Sequence, residues 1–275
     1  ELLSKVKYCE DALRFITQLE GSLRSACLLL NAETQTDVQE AVSFFKQARP
    51  FGIPAVEVGL RSMLALAWRR EEPVRVCLMD AFTEIYVYAP GSSSTSKNRR
   101  RRHPRDTASL LAQVVVDSTL VERLNLEQLL MELPRATQPE FKTSMSKEVV
   151  RALWGMTRAS EGVCDGEDGS PTPDDITLAC AALQVLGMLA KSAPLLVAGG
   201  PRGDYLETLL RIAFGATART RGDTEMVMFA GVLLERLPGP LDRAMAAGPL
   251  AEALLLDSDG DEENDEGEEG ESKAG

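Results

Sequence analysis

The stretch "TDVQEAVSFFKQARPFGIP" (36–54) most constrains how this chain can fold. Val38, Ala41, Val42, Phe45 and Ala48 fall at i, i+3, i+4, i+7 and i+10, which lines one face of a helix. Thr36 or Asp37 is the expected cap. The helix stops at Arg49-Pro50, the chain turns at Phe51-Gly52, and a second helix starts at Pro54, where the missing proline N–H costs nothing. A helix this short cannot bury its apolar face alone. It needs neighbours of the same kind.

Such neighbours recur along the chain. Residues 2–30 read as one long helix or two, with Leu13, Ile16, Leu19, Leu23, Cys27 and Leu30 in phase. The helix after Pro54 carries Val58, Met63, Leu64, Ala67 and Trp68. Pro73 opens another, with Val74, Cys77, Ala81, Phe82 and Ile85 inward. Further helices are expected at about 106–119, at 125–133 with Asn125 as cap, at 144–158 and at 174–193. Three more follow at roughly 203–218, 223–236 and 240–256. Trp68 and Trp154 lie on apolar faces and read as core. "VCLMDAFTEIYVY" (76–88) holds β-branched and aromatic residues, but its period is nearer 3.6 than 2, so it too reads as helix. About ten helices with short connections predict an all-α fold, an α-α superhelix of the HEAT or armadillo type, over residues 1–256.

Composition supports helices over sheets. Apolar residues make up 44% of the 275, while aromatics are only 5%. Leu and Ala, the best helix formers, dominate. The five cysteines, Cys9, Cys27, Cys77, Cys164 and Cys180, are odd in number and never spaced C-x-x-C, which argues against a disulfide framework or a zinc site. The longest apolar stretch, 178–190, is shorter than the roughly 20 residues of a membrane span. No signal peptide is visible, and the chain opens at Glu1 in mid-pattern, as an excerpt of something longer would.

Charge is segregated. The net charge is −12, but residues 257–275 hold ten acids and one lysine, leaving −3 for residues 1–256. Those last residues are expected to be a disordered acidic tail. Flexible loops are expected at about 90–105 and 160–172. The first ends in "KNRRRRHPR" (97–105), with Lys97, Arg99, Arg100, Arg101, Arg102 and Arg105 and no acid.

Two helices, "PVRVCLMDAFTEIY" (73–86) and "ACAALQVLGMLA" (179–190), look like second helices of HEAT repeats. Residues 36–87 are more specific. Thr36-Asp37-Val38, Glu40-Ala41, Phe44-Phe45, Phe51-Gly52-Ile53, Gly59-Leu60-Arg61, Met63-Leu64, Trp68, Val74, Ala81 and Tyr86 resemble the central HEAT region of the condensin complex subunit 1 family. "LNLEQLLMEL" (124–133), "VVRALWGM" (149–156) and "LQVLGMLAKSAPLLV" (183–197) look like successive segments of that family in the right order. The resemblance covers roughly 8–218. The basic run, the 160–172 insert and the acidic tail depart from it and inherit nothing. It implies a non-catalytic scaffold that binds a kleisin subunit and SMC ATPase subunits and helps load them on DNA in mitosis, in the nucleus and on chromosomes, with an interphase cytoplasmic pool also compatible. A HEAT or armadillo adaptor for nuclear transport or vesicle trafficking is the alternative.

The residues themselves offer little chemistry. The single histidine, His103, lies in the basic run with no nucleophile placed beside it, so no catalytic residue is assigned. No phosphate-binding glycine motif is present, and no cofactor or metal is expected. Asp257, Asp259, Asp261 and Glu268 mimic a calcium loop, but Glu262 stands where such a loop needs glycine. The arginine run admits three roles: duplex phosphate contact, nuclear import, or a solvated loop. With no aromatic inside it, reading of base sequence is not expected. Ser170-Pro171 and Thr172-Pro173 are proline-directed phosphoacceptor candidates, and Ser258, three before Asp261, is an acid-directed one.

Overall fold

The computed structural model describes residues 2–89, 100–136, 141, 143–159, 173–198, 205–214 and 224–237. Lys97, Arg99, Ser170, Thr172, Ser258, the expected helix at 240–256 and the acidic tail lie outside the described residues.

Among the described residues the fold is all-α. The helices are α1 Leu2–Leu29, α2 Gln35–Ala48, α3 Pro54–Met63, α4 Glu72–Phe82, α5 Pro104–Val116 and α6 Leu120–Glu132. After them come α7 Lys147–Ala159, α8 Pro173–Ala190, the single turn α9 Pro194–Val197, α10 Tyr205–Phe214 and α11 Thr224–Arg236. They stack in two layers that both follow chain order. Helices α1, α3, α6, α8 and α11 pack successively on one side, and α2, α4, α5 and α7 on the other. Each pair thus packs on the pair before it in two layers, with the order within the pair reversed at α5 and α6, the stacked arrangement of an α-solenoid.

The opening stretch folds as its pattern requires. Val38, Ala41, Val42, Phe45 and Ala48 are all buried. A 3₁₀ turn, Arg49–Phe51, follows α2 and closes on Gly52, whose φ of 65° is the left-handed conformation that glycine adopts without strain. Pro54 then opens α3. Gly59 on α3 faces the buried Phe45 ring: a Cβ there would stand 2.6 Å from Phe45 Cδ1 and Cζ. The two helices meet this closely only because Gly59 has no side chain.

Several local expectations need correction. The cap of α2 is Thr34, in extended conformation, and its hydroxyl donates to the Asp37 carboxylate in the first turn. Helix α6 starts five residues before Asn125. Thr119 is its cap, in a capping box: the Glu122 amide donates to the Thr119 hydroxyl, and the Thr119 amide donates to the Glu122 carboxylate at 2.7 Å. Asn125 is a buried residue inside α6, where its Oδ1 accepts the Trp68 indole N–H at 2.9 Å. Trp68 itself is 60% exposed and is not core, because α3 tightens into a 3₁₀ turn, Leu64–Trp68, that swings the ring outward. Trp154 is core: its Nε1 donates to the Val197 carbonyl at 3.0 Å and its ring stacks on Tyr205.

Helix α1 is a single helix that buries only Leu23 and Ala26, since α2 and α3 cover its C-terminal part alone. Leu13, expected inward, is 64% exposed. Helix α8 is long and apolar enough to cross a membrane by length and composition, but 61% of it is buried against protein. It is the hub on which α5, α6, α7 and α11 pack. Arg236 ties α11 to that hub, donating to the Gly187 carbonyl at 2.7 Å and to Glu127 of α6 at 3.1 Å, while Lys191 meets the same carboxylate at 2.8 Å.

Candidate nucleic-acid interface

The basic run is anchored at its C-terminal end. Helix α4 passes into a π-helical turn, Thr83–Val87, and Tyr88 then pairs antiparallel with Arg101. The Ala89 amide donates to the Arg100 carbonyl at 2.9 Å, and the Arg102 amide donates to the Val87 carbonyl at 2.8 Å. Helix α5 begins at Pro104, so the loop expected to run to 105 ends two residues earlier. His103 is the cap of α5, its Nδ1 accepting the Arg105 amide at 3.3 Å. That is a structural task, with the ring oriented by the helix start.

The four described arginines of the run have different surroundings. Arg100 and Arg105 are exposed. Arg101 is exposed too, yet its guanidinium donates to the Thr143 carbonyl at 2.5 Å and to the Thr143 hydroxyl at 3.2 Å. Arg102 turns inward, is half-buried, and donates to the Ile85 carbonyl at 3.2 Å. Burial and, after it, the nearby Arg49 push its guanidinium below the ordinary arginine value, with Asp106 opposing. Arg102 therefore clamps the π-turn and presents less charge to solvent than its neighbours do.

The bond from Arg101 to Thr143 brings the run beside α7. Along that helix Lys147, Glu148, Arg151, Gly155 and Arg158 are the exposed positions. Spacings of four and seven put Lys147, Arg151 and Arg158 on one stripe. Between α5 and α7 lies a groove of about 600 Å³. His103, Arg105 and Ser109 form one wall and Glu148 and Arg151 the other, with Ala152 and Met156 as an apolar floor. The Glu148 carboxyl is held below the usual carboxylate range, first by a hydrogen bond from Ser146, then by its own backbone N–H, with Arg151 and Lys147 adding charge. Arg158 sits 5.7 Å from the centre of the Tyr205 ring.

The result is one basic surface from two elements: Arg100, Arg101 and Arg105 from the run, Lys147 and Arg151 from α7. Its guanidinium and ammonium groups can hold phosphate or carboxylate oxygens. Among the described residues no group of His, Cys, Asp or Glu is gathered as a metal would need. Lys147 and Arg151 escape a sequence reading that follows only the apolar residues of "VVRALWGM", although their four-residue spacing is a signal that could find them.

A second exposed feature is apolar. Trp68, Leu120, Val121 and Leu124 are 60%, 73%, 66% and 49% exposed, and the Trp68–Asn125 bond places the indole against the same helix.

No protein-family model matches the chain. Curated relatives do. The chain is 28% identical over 207 residues to condensin complex subunit 1 of Mus musculus, covering 75% of this chain and 13% of that protein. It is 25% identical over 210 residues to the condensin-1 complex subunit CAP-D2 of Arabidopsis thaliana, covering 76% and 12%. It is 23% identical over 243 residues to condensin complex subunit 1 of Saccharomyces cerevisiae, covering 84% and 19%. The resemblance seen in residues 36–87 thus extends over three-quarters of the chain, and the matched part is a small fraction of each relative's length.

Proposed function

We propose that this chain is a segment of a condensin-type HEAT scaffold, related to condensin complex subunit 1, and that it serves chromosome condensation without catalysing a reaction itself. The observation that carries the reading is the similarity to condensin subunits of an animal, a plant and a yeast along most of a stack of paired helices. A stacked solenoid suits scaffolding. Each pair contacts its neighbours, and the whole presents a long rigid surface to partners.

In this reading the partners are a kleisin subunit, SMC ATPase subunits and duplex DNA bound without sequence preference, in the nucleus and on mitotic chromosomes. The basic surface of Arg100, Arg101, Arg105, Lys147 and Arg151 is the duplex contact. Phosphate contacts set position and carry no sequence information, which fits a surface built from arginine and lysine head groups. Lys97 and Arg99 belong to the same run and extend the proposal. The pairs at Ser170 and Thr172, and Ser258 before the acidic residues, are the proposed phosphoacceptors through which added negative charge adjusts partner binding.

The test is acute depletion of the full-length protein with rescue by a tagged copy. The reading expects the tagged protein on mitotic chromosomes and broadened, undercompacted chromosomes on depletion. Normal compaction, with the protein confined to transport or vesicle structures, would overturn it.

A further inference from the structure

The groove between α5 and α7 combines features that a DNA backbone does not use together. Its rim carries Arg105 from the start of α5 and Arg151 from α7, with one carboxylate, Glu148, between Arg151 and Lys147, which lies one turn before Arg151 on the same stripe. Its floor is apolar, built from Ala152 and Met156. Gly155 also lines it, beside open space: a Cβ there would meet nothing within 4 Å. A phosphodiester chain can occupy the rim, but it gains nothing from the floor. A peptide with aliphatic side chains followed by carboxylates would occupy both.

This chain contains such a peptide. Leu254, Leu255 and Leu256 run directly into Asp257, Asp259, Asp261, Glu262 and Glu263. We propose that residues 254–263 occupy the α5–α7 groove of the same molecule, the leucines on Ala152 and Met156 and the carboxylates on Arg105, Arg151 and Lys147. Reach does not forbid it. Described structure ends at Leu237 after α11, which packs on α8, which packs on α7. Two helix spacings amount to about 20 Å. The residues between Leu237 and Leu254 span about 25 Å if helical and about 55 Å if extended. Such docking would cover the cations assigned above to duplex phosphates, making the acidic segment a competitor of DNA. The occupancy itself does not depend on any duplex binding. Charge pairs at an open groove are screened within about 8 Å at physiological ionic strength, so the segment is released by salt.

Zero-length carbodiimide cross-linking of the full chain, read by mass spectrometry, tests this, because Lys147 supplies an amine at the rim. At low ionic strength the Lys147 amine should join carboxylates of 257–263, with much less reaction at Lys7. Reversing Arg105 and Arg151 together (R105E/R151E), both exposed, should lower that yield about tenfold with an unchanged helical spectrum. Replacing Leu254, Leu255 and Leu256 with Ser should lower it while leaving the rim charges in place. Yields at Lys147 no higher than at Lys7, or indifferent to the arginine reversals, would overturn the proposal. So would isotope-mixed samples in which the Lys147 cross-links run between copies. The expected cross-links together with duplex binding that is indifferent to R105E/R151E would count against the DNA reading alone.

Discussion

Replacing Gly59 with Ala should destabilise this protein, although Ala is the better helix former. In an unencumbered helix interior the exchange gains about 1 kcal/mol. Here the new methyl group would come within 2.6 Å of two atoms of the Phe45 ring, and closer still to a third. Phe45 is wholly buried, and its ring lies edge-on to Phe44 with centroids 5.5 Å apart, so it cannot swing aside into water. Relief requires α2 and α3 to separate or the ring to leave its rotamer, and overpacking of this kind costs about 1–3 kcal/mol. Distances this short put the cost in the upper part of that range, about 2–3 kcal/mol, so the net expectation is a loss of about 1–2 kcal/mol, seen in urea melts as a midpoint lower by about 0.5 M at unchanged slope. Phe45→Leu supplies the control. On that background the added methyl has room, so the Gly59→Ala penalty should vanish and the double-mutant cycle should show coupling of about 1 kcal/mol or more. A Gly59→Ala midpoint equal to or above that of the unmodified protein would refute the close approach of these two helices.

Further outcomes follow from the same structure. Asn125→Ala removes the acceptor of the Trp68 indole and should cost about 1 kcal/mol, with a red shift of the Trp68 contribution to fluorescence. Glu127→Ala removes the carboxylate shared by Arg236 and Lys191, leaving Arg236 only the Gly187 carbonyl, and should speed hydrogen exchange across 224–236 before it affects α2 or α3, at a cost of about 1 kcal/mol. Tyr86 is deeply buried, which pushes its phenol up to about 12, against 10 for an unburied tyrosine. Its unfolded form loses the proton first, so stability is intact below pH 10 and falls by about 3 kcal/mol between pH 10 and 12. Absorbance at 295 nm should show this phenolate appearing only with unfolding. For duplex binding, replacing Arg100, Arg101, Arg105 and Arg151 with Ser should reduce the slope of log affinity against log salt by about 0.9 for each phosphate no longer neutralised. An unchanged slope would remove this surface as the duplex-binding face.

Local pattern makes the helical stack readable, and tertiary packing accounts for most of what local pattern hides. The α2 face from Val38 to Ala48 is visible because a 3.6-residue period is written in adjacent residues. Asn125 shows the limit. A polar residue ahead of a leucine-rich run looks like a cap, but here it faces the indole of Trp68, 57 positions earlier, and Thr119 does the capping. Trp68 reaches the surface because the 3₁₀ turn Leu64–Trp68 ends α3 out of helical phase, which an apolar periodicity does not announce. In the basic run, composition shows the charge and not its anchoring. Arg101 and Arg102 are fixed by Tyr88, Val87, Ile85 and Thr143, none adjacent in sequence. The candidate surface is therefore half legible. The run is conspicuous, while its α7 partners, Lys147 and Arg151, acquire meaning only once the Arg101–Thr143 bond places them alongside.

The proposed scaffold role requires the full-length protein to sit in a condensin-type assembly. The most direct measurement is affinity purification of the full-length protein from mitotic cells, followed by size-exclusion chromatography and quantitative mass spectrometry of the co-eluting proteins. One SMC pair and one kleisin are expected at equal stoichiometry in the same fractions. Elution free of SMC and kleisin subunits, or with transport or trafficking receptors in their place, would contradict it.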